Sequence, residues 1–399
     1  MENKKKKFLV LSLIATFLAL FVHAYLALKY YNLNFGMAQG QSSCNISSLF
    51  NCDATSASSY AQVYGVPVAI WGLATNLVLL LLSLIAWTGF AERPERVQRF
   101  AFFLSLIVAL TSIFMGLISS FKLGTFCLYC ILVYFLSFVS FVGLWLAKPA
   151  DKPRCLEDLK DAFATDKWLF ICFLAIPALS FIFNSMAVNN FGYKNFDRTV
   201  QEATYAWSTS ATQNFDLNTG LILKPQLKNP KMVIVEFADF LCPHCKHAYP
   251  TLHAFAESHP DVQFIFKVFP LDGSCNPDPT MKGTGDGVRC RLALATICAA
   301  KTASRGWDVH HSIFDHQQEY SGIVATDDID KKICQDAGIA CDPLKECMNS
   351  GEAMIELKKL AQEALSAKIT GTPTIFVNGK ALMAGQTLPV LQKVYNSIK

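Results

Sequence analysis

Met232-Val233-Ile234-Val235-Glu236-Phe237-Ala238-Asp239-Phe240-Leu241-Cys242-Pro243-His244-Cys245 decides how the second half of the chain folds. The β-branched content of Met232–Ala238 reads as a strand. Pro243–Ser258 continues with helical spacing, so Cys242 and Cys245 sit where a strand hands over to a helix. A helix N-terminus stabilises an anion, and the adjacent His244 adds to that effect. Cys242, the more exposed of the two, thereby becomes a nucleophile and a good leaving group, while Cys245 one turn on resolves a mixed disulfide. A zinc site would need a second pair at matching spacing; the strand–CxxC–helix context points to redox chemistry and to no metal.

Outward from this stretch, Val262–Val268 alternates like another strand, and a long helical stretch occupies roughly residues 285–368. Thr374–Val377, the Asn378-Gly379 turn and Lys380–Met383 close a hairpin. Residues 231–399 therefore read as an α/β domain with a helical insertion. Residues 191–230 are polar and mixed and read as a linker.

The first half is different. The 399 residues are 52% hydrophobic and only 17% charged, against about 25% charged in soluble proteins, and the deficit falls before the linker. A span needs ~20 apolar residues. Five segments qualify: Phe8–Leu28, Pro67–Trp87, Phe100–Ser120, Cys127–Leu146 and Trp168–Val188, the last interrupted by Pro177. Phe8–Leu28 exceeds a signal-peptide core of ~7–15 residues and lacks a small-x-small site after it, so it reads as a retained span. The run Lys4–Lys7, then Arg93, Arg96 and Arg99, then Lys148, Lys152, Arg154, Lys160 and Lys167 all fall on one side. Residues 31–66 hold no Lys or Arg at all. Positive loops mark the cytoplasmic side, so the N-terminus is inside and five crossings deliver the α/β domain outside. A net charge of +4 with scattered lysines gives no footing for nucleic acid.

Fourteen cysteines are present. Cys44, Cys52, Cys242, Cys245, Cys275, Cys290, Cys298, Cys334, Cys341 and Cys347 fall outside, where disulfides persist. Cys127 and Cys130 open the fourth span at its outer edge and share a helix face. Cys44 and Cys52 lie in the first outer loop. The last six of the outer set suggest up to three structural bridges with fifteen connectivities, and the sequence leaves the choice open. Cys155 (inside) and Cys172 (in the fifth span) read as inert. Asn45-Ile46-Ser47 matches a glycosylation acceptor, a motif common by chance. His23 in the first span reads as a packing or interface residue, and Asn76, polar within the second span, as a group pointing into the bundle.

The stretch Phe237–Cys245, with the helical insertion and Gly371-Thr372-Pro373-Thr374, resembles the DsbA-like branch of the thioredoxin superfamily. The resemblance implies that Pro373 is cis and lies against the CxxC. Cys44, Asn51-Cys52-Asp53, Ser58-Ser59-Tyr60, Gly65-Val66-Pro67, Trp71-Gly72 and Phe126-Cys127-Leu128-Tyr129-Cys130 with Tyr134 resemble the vitamin K epoxide reductase (VKOR) family. The likeness is to its bacterial homologues fused to a thioredoxin-like domain. It covers roughly residues 8–147 and implies four domains: a transmembrane domain at 1–150, a cytoplasmic connector and fifth helix at 151–190, the linker, and the thioredoxin-fold domain. The expected architecture is an all-α bundle, a four-helix VKOR-type core plus a fifth helix, followed by an α/β thioredoxin fold.

What the resemblance implies is a relay for oxidative protein folding in the bacterial inner membrane. Reduced exported proteins give electrons to Cys242/Cys245. These pass to Cys44/Cys52, from Cys52 to Cys127, and through Cys130 to a membrane quinone, ubiquinone or menaquinone, with Ser58 bonding a quinone oxygen. Tyr134, four residues after Cys130, and Asn76 are further candidates for the ring pocket. Two rivals use the same residues differently: an outward-directed reductase or isomerase, and a membrane sensor or binding protein whose disulfides are all structural.

Overall fold

A computed structural model describes residues 2–38, 40–47, 49–147, 163–190, 196–323 and 326–398; Cys155 lies outside them. The chain divides into one unit of Met1–Tyr31 with Ser43–Lys194 and a second of Asn32–Ser42 with Asn195–Lys399.

Among the described residues of the first unit, five helices are long and apolar enough to cross a membrane: Lys5–Asn34, Val68–Thr88, Pro94–Leu123, Leu128–Ala147 and Trp168–Asn190. Leu79, Leu82, Leu104, Leu144 and Leu169 form their common core. Phe17, Phe21, Ile107, Phe114 and Phe135 remain about half exposed or more, as side chains facing lipid do. Apolar burial does not drive helices together in lipid, so close approach and polar contacts hold them. Ser12 and Thr16 of the first span each lie 2.9 Å from the Ser140 hydroxyl of the fourth. A Cβ on Gly143 would come within 2.9 Å of the Phe8 carbonyl oxygen, so only glycine permits that approach. The third helix starts at Pro94, ahead of the expected Phe100, because the buried Arg96 finds partners: its guanidinium donates to Thr165 at 2.9 Å and pairs with Asp166. Pro177 sits inside a continuous fifth helix.

Between the first two spans lie a short helix, Cys52–Ala57, and two paired strands, β1 (Gln62–Val63) and β2 (Val66–Pro67). Tyr64 and Gly65, at φ 53° and 74°, make the tight turn that joins them.

The second unit holds a five-stranded sheet in the order β3 (Leu221–Leu223), β5 (Val262–Val268), β4 (Met232–Ala238), β6 (Thr374–Val377), β7 (Lys380–Ala381). Only β4 and β5 run parallel, and the helix Pro243–Ser258 is the crossover that a parallel pair requires. The stretch 285–368 is a set of separate helices, among them Val288–Ala303, Gly306–Asp315 and Gly351–Ser366.

Two domain boundaries need correction. Residues 191–230 are not simply a linker. The helix Phe196–Thr209 buries Ala203 and Trp207, whose indole donates to the Val377 carbonyl at 3.0 Å, and β3 forms a sheet edge. A three-residue strand is too short to show alternation, and the helix is apolar on one face only. Asn32–Ser42, expected within the transmembrane domain, belongs to the second unit. The Thr251 hydroxyl donates to the Leu33 carbonyl at 3.0 Å, and Ala38 O lies 2.9 Å from His247 Nδ1.

Candidate active site

In the second unit Cys242 is the N-cap of Pro243–Ser258 and its thiol donates to the Thr372 carbonyl at 3.3 Å. The Thr372–Pro373 peptide is cis. The loop leading in is braced from three sides. Asp239 is buried and accepts from the Leu241 and Leu271 amides, each at 2.7 Å, while pairing with Arg289. Gln317 donates to the Phe240 and Cys242 carbonyls at 2.7 and 2.9 Å. The hydrogen bond from Cys245 pulls the Cys242 thiol down to about 5; burial opposes this, and the Thr372 side chain and the amides of Cys245 and His244 assist. His244 thus contributes through its backbone. Burial and the neighbouring Cys242 charge push Cys245 well above the ordinary thiol range.

Directly behind the pair lies a residue that the sequence reading did not single out. Glu236 of β4 is wholly enclosed, and neither carboxylate oxygen has a hydrogen-bond partner. Burial, with Cys242 adding, raises it to about 8. The available signal was an acid in the middle of an otherwise apolar strand, since a buried acid without partners is costly.

In the first unit Cys44 and Cys52 form a disulfide with Cα atoms 5.9 Å apart. Both pack with Cys127 in one buried cluster, with Cys130 at its margin. Local backbone pairing produces that meeting. Asn51 N–H donates to Phe126 O at 3.0 Å and Phe126 N–H to Leu49 O at 2.7 Å. The loop between the first two spans is thereby stitched to the residue before Cys127. Asn51 also caps Cys52–Ala57 through its side chain. Asn45, read only as a glycosylation acceptor, instead accepts from the Cys52 amide at 2.9 Å and donates to Asp53 at 2.7 Å. The Cys130 amide donates to Cys127 Sγ at 3.3 Å.

Cys130 lines a cavity, partly open to solvent, with Ser58, Tyr134 and His23. Leu26, Met115, Ile118 and Val133 give it apolar walls. Ser58, Cys130 and Tyr134, from three separate places in the sequence, are therefore brought together. Asn76 is not among the lining residues; its amide donates to the Gly72 carbonyl of its own helix at 2.9 Å. Among the described residues no group of three or more His, Cys, Asp or Glu is placed to hold a metal ion.

The six remaining cysteines of the second unit pair as Cys275–Cys290, Cys298–Cys347 and Cys334–Cys341. This settles the choice that spacing left open.

A membrane-helical bundle carrying paired cysteines, joined to a thioredoxin fold with its own CxxC, holds the groups that thiol–disulfide exchange requires. Residues 10–145 match the model of the vitamin K epoxide reductase family and residues 233–396 that of the DSBA-like thioredoxin domain. The chain joins one domain of each kind. Among solved structures it is similar to oxidised BdbD from Bacillus subtilis, at 19% identity and a TM-score of 0.38, covering 47% of this chain and 97% of that one. It is also similar to alpha-DsbA2 from Wolbachia pipientis, at 17% identity and 0.38, covering 52% and 99%. Among curated proteins, the Na(+)/H(+) antiporter NhaA 3 of Salinispora tropica is 23% identical over 151 residues, 37% of this chain and 20% of that protein. NhaA 1 of Mycolicibacterium vanbaalenii is 26% identical over 155 residues, 37% and 22%. The chain spans about a fifth of the length of these curated relatives, and antiport is a description of them.

Proposed function

We propose that the chain is a quinone-linked thiol oxidase of the bacterial inner membrane that oxidises exported proteins. The observation that carries this reading is the packing of Cys127 against the Cys44–Cys52 disulfide while Cys130, three residues on, lines an apolar cavity. The disulfide form of Cys242–Cys245 takes two electrons and two protons from a substrate dithiol, then hands them to Cys44–Cys52 by exchange. The Cys52 thiolate next attacks Cys127 of a Cys127–Cys130 disulfide, and Cys130 leaves as a thiolate beside the cavity. Cys44 displaces Cys127 from Cys52, which restores the outer disulfide and leaves Cys127 and Cys130 reduced.

A quinone, ubiquinone or menaquinone, would supply the electron sink there. The cavity suits such a group in its chemistry: apolar walls with few polar groups match a flat ring bearing two carbonyls. Tyr134 would flank the ring and Cys130 would face it; Ser58 would bond a quinone oxygen only by giving up the bond its hydroxyl donates to the Thr55 carbonyl at 2.8 Å. Asn76 would act only by keeping the Gly72 backbone in place. Glu236, raised to about 8, holds a proton at neutral pH beside the thiol pair and exchanges it with Cys245 during each turnover.

The direction is supported by Cys242. A thiol pulled down to about 5 stabilises the dithiol form, which makes the disulfide oxidising and favours an oxidase over an outward reductase. The basic inner loops, an odd number of spans and three disulfides in the second unit support a cytoplasmic N-terminus and a thioredoxin-like domain on the periplasmic or extracellular side.

The test is anaerobic quinone reduction by the purified chain with a reduced unfolded protein as donor. Activity is expected for the native chain and loss for Cys242→Ala and for Cys130→Ala. Native-rate reduction by Cys130→Ala would refute the relay as drawn.

A further inference from the structure

His23 stands within the first span, where an imidazole with nothing to bond is costly. It is 8% exposed, its Nδ1 is sealed from solvent without a partner, and neither ring nitrogen hydrogen-bonds to any described residue. The ring is nevertheless held in place. A Cβ on Gly72 would fall 2.1 Å from its Cε1 and 2.5 Å from each ring nitrogen, so the second span keeps a notch that any larger residue would fill. The Gly72 carbonyl is already taken by Asn76. An unsatisfied buried polar group costs about 1–3 kcal/mol, and packing alone would be served better by leucine or phenylalanine.

The same ring lines the cavity that Cys130 enters. A quinone presents two carbonyl oxygens there, both acceptors, and so needs donors. Ser58 already commits its O–H to the Thr55 carbonyl at 2.8 Å, Thr55 commits its own to Asn51 O at 2.9 Å, and Tyr30 donates to Gln62 at 3.2 Å. A neutral imidazole always carries one N–H, and that of His23 is uncommitted.

We propose that His23 positions the quinone headgroup by donating a ring N–H hydrogen bond to one of its carbonyl oxygens, with Gly72 as the notch that sets the ring's place. This rests on the quinone reading above. His23 transfers no electrons, so its removal alters where the ring sits and how tightly, while the thiol chemistry stays the same.

The experiment uses the full chain in detergent with Cys130→Ala to prevent turnover, and a short-chain quinone labelled with ¹³C at its carbonyls. Affinity is read by tryptophan quenching and carbonyl bonding by infrared difference spectra. The parent is expected to bind with one carbonyl band displaced by a hydrogen bond. His23→Leu is expected to bind about tenfold more weakly and to lose that displacement. His23→Gln, which keeps an N–H, should retain most of both, and Gly72→Ala, which pushes the ring aside, should behave like His23→Leu. If His23→Leu binds as the parent does with unchanged bands, His23 is a packing residue and the inference fails alone. If the parent binds no quinone, the cavity reading fails and takes this one with it.

Discussion

The amide of Asn51 donates to the carbonyl of Phe126 at 3.0 Å, which ties the residue before Cys52 to the residue before Cys127. Two cysteines that are 75 positions apart in sequence are thus brought side by side by backbone pairing, independently of their own bonding. The isolated parallel bridge between Phe50 and Phe126 extends the same register. A disulfide requires Cα atoms within about 7 Å, and the backbone tie is made directly beside Cys52, whereas Cys44 lies eight residues upstream.

It follows that the chain with Cys44→Ser and Cys130→Ser, left with Cys52 and Cys127, forms that disulfide under mild oxidation. The counterpart with Cys52→Ser and Cys130→Ser should form the Cys44–Cys127 bond at least about tenfold more slowly. Peptide mapping after alkylation reads both. Equal rates would mean that the pairing does not choose the exchanging cysteine.

Asn45 serves the same loop from the other side. Asn45→Ala removes the acceptor of the Cys52 amide and the donor to Asp53, two hydrogen bonds worth about 0.5–1.5 kcal/mol each. Amide hydrogen exchange across residues 49–57 should accelerate about tenfold or more, with exchange in the five spans unchanged. Unaltered protection would sink the bracing role.

How far the sequence could carry this picture follows from the range of each interaction. The strand Met232–Ala238 and the helix Pro243–Ser258 were legible because β-branched content, Pro243 and the CxxC are local signals. The five spans were legible because the membrane sets their length. The pairing of Cys298 with Cys347 was not, since 49 residues separate them and three helices decide their meeting. Glu236 was hidden within a strand signal that it does not disturb. Asn76 looked like a cavity residue because polarity within a span suggests function, yet a carbonyl one turn back satisfies it. His23 looked like packing because the notch that isolates it belongs to Gly72, on another span.

Cys242 gives a pH prediction. Its folded thiol titrates near 5, whereas an unperturbed thiol titrates near about 8.5. Reduced-state stability gained this way is complete above about pH 8.5 and is lost as pH falls through about 5. Alkylation of Cys242 in the reduced chain should therefore show a midpoint near 5. Cys245→Ala should move it upward, because the Cys245 hydrogen bond is the largest cause of the depression. A midpoint near 8.5 in the intact pair would contradict the thiolate assignment.

If the three bridges of the second unit are structural, removing one should cost stability without stopping turnover. For Cys298→Ala with Cys347→Ala, opening a loop of 49 residues, the chain-entropy account gives about 4 kcal/mol. Denaturant unfolding followed by a signal from the second unit measures it. Quinone reduction at low denaturant should stay within about twofold of native, a rate change worth less than 1 kcal/mol. A near-complete loss in a folded variant would make Cys298–Cys347 a redox pair.

Glu236 separates stability from activity most sharply. Its carboxyl is enclosed and unpartnered, so folding favours the protonated form and raises it from an unfolded value near about 4.3 to about 8. The native fold is therefore fully stable with respect to this group below about pH 4.3 and loses that contribution as pH climbs toward 8. Glu236→Gln keeps the shape and removes the titration. At pH 4 the two chains should unfold alike, and at pH 7 the variant should be more stable, by about 2–4 kcal/mol. If Glu236 exchanges a proton with Cys245, the same change removes that group, and thiol oxidation at pH 7 should slow by about ten- to a hundredfold and lose its titration near 8. A variant that is stabilised yet oxidises thiols at the native rate would leave Glu236 a tolerated buried acid and no more.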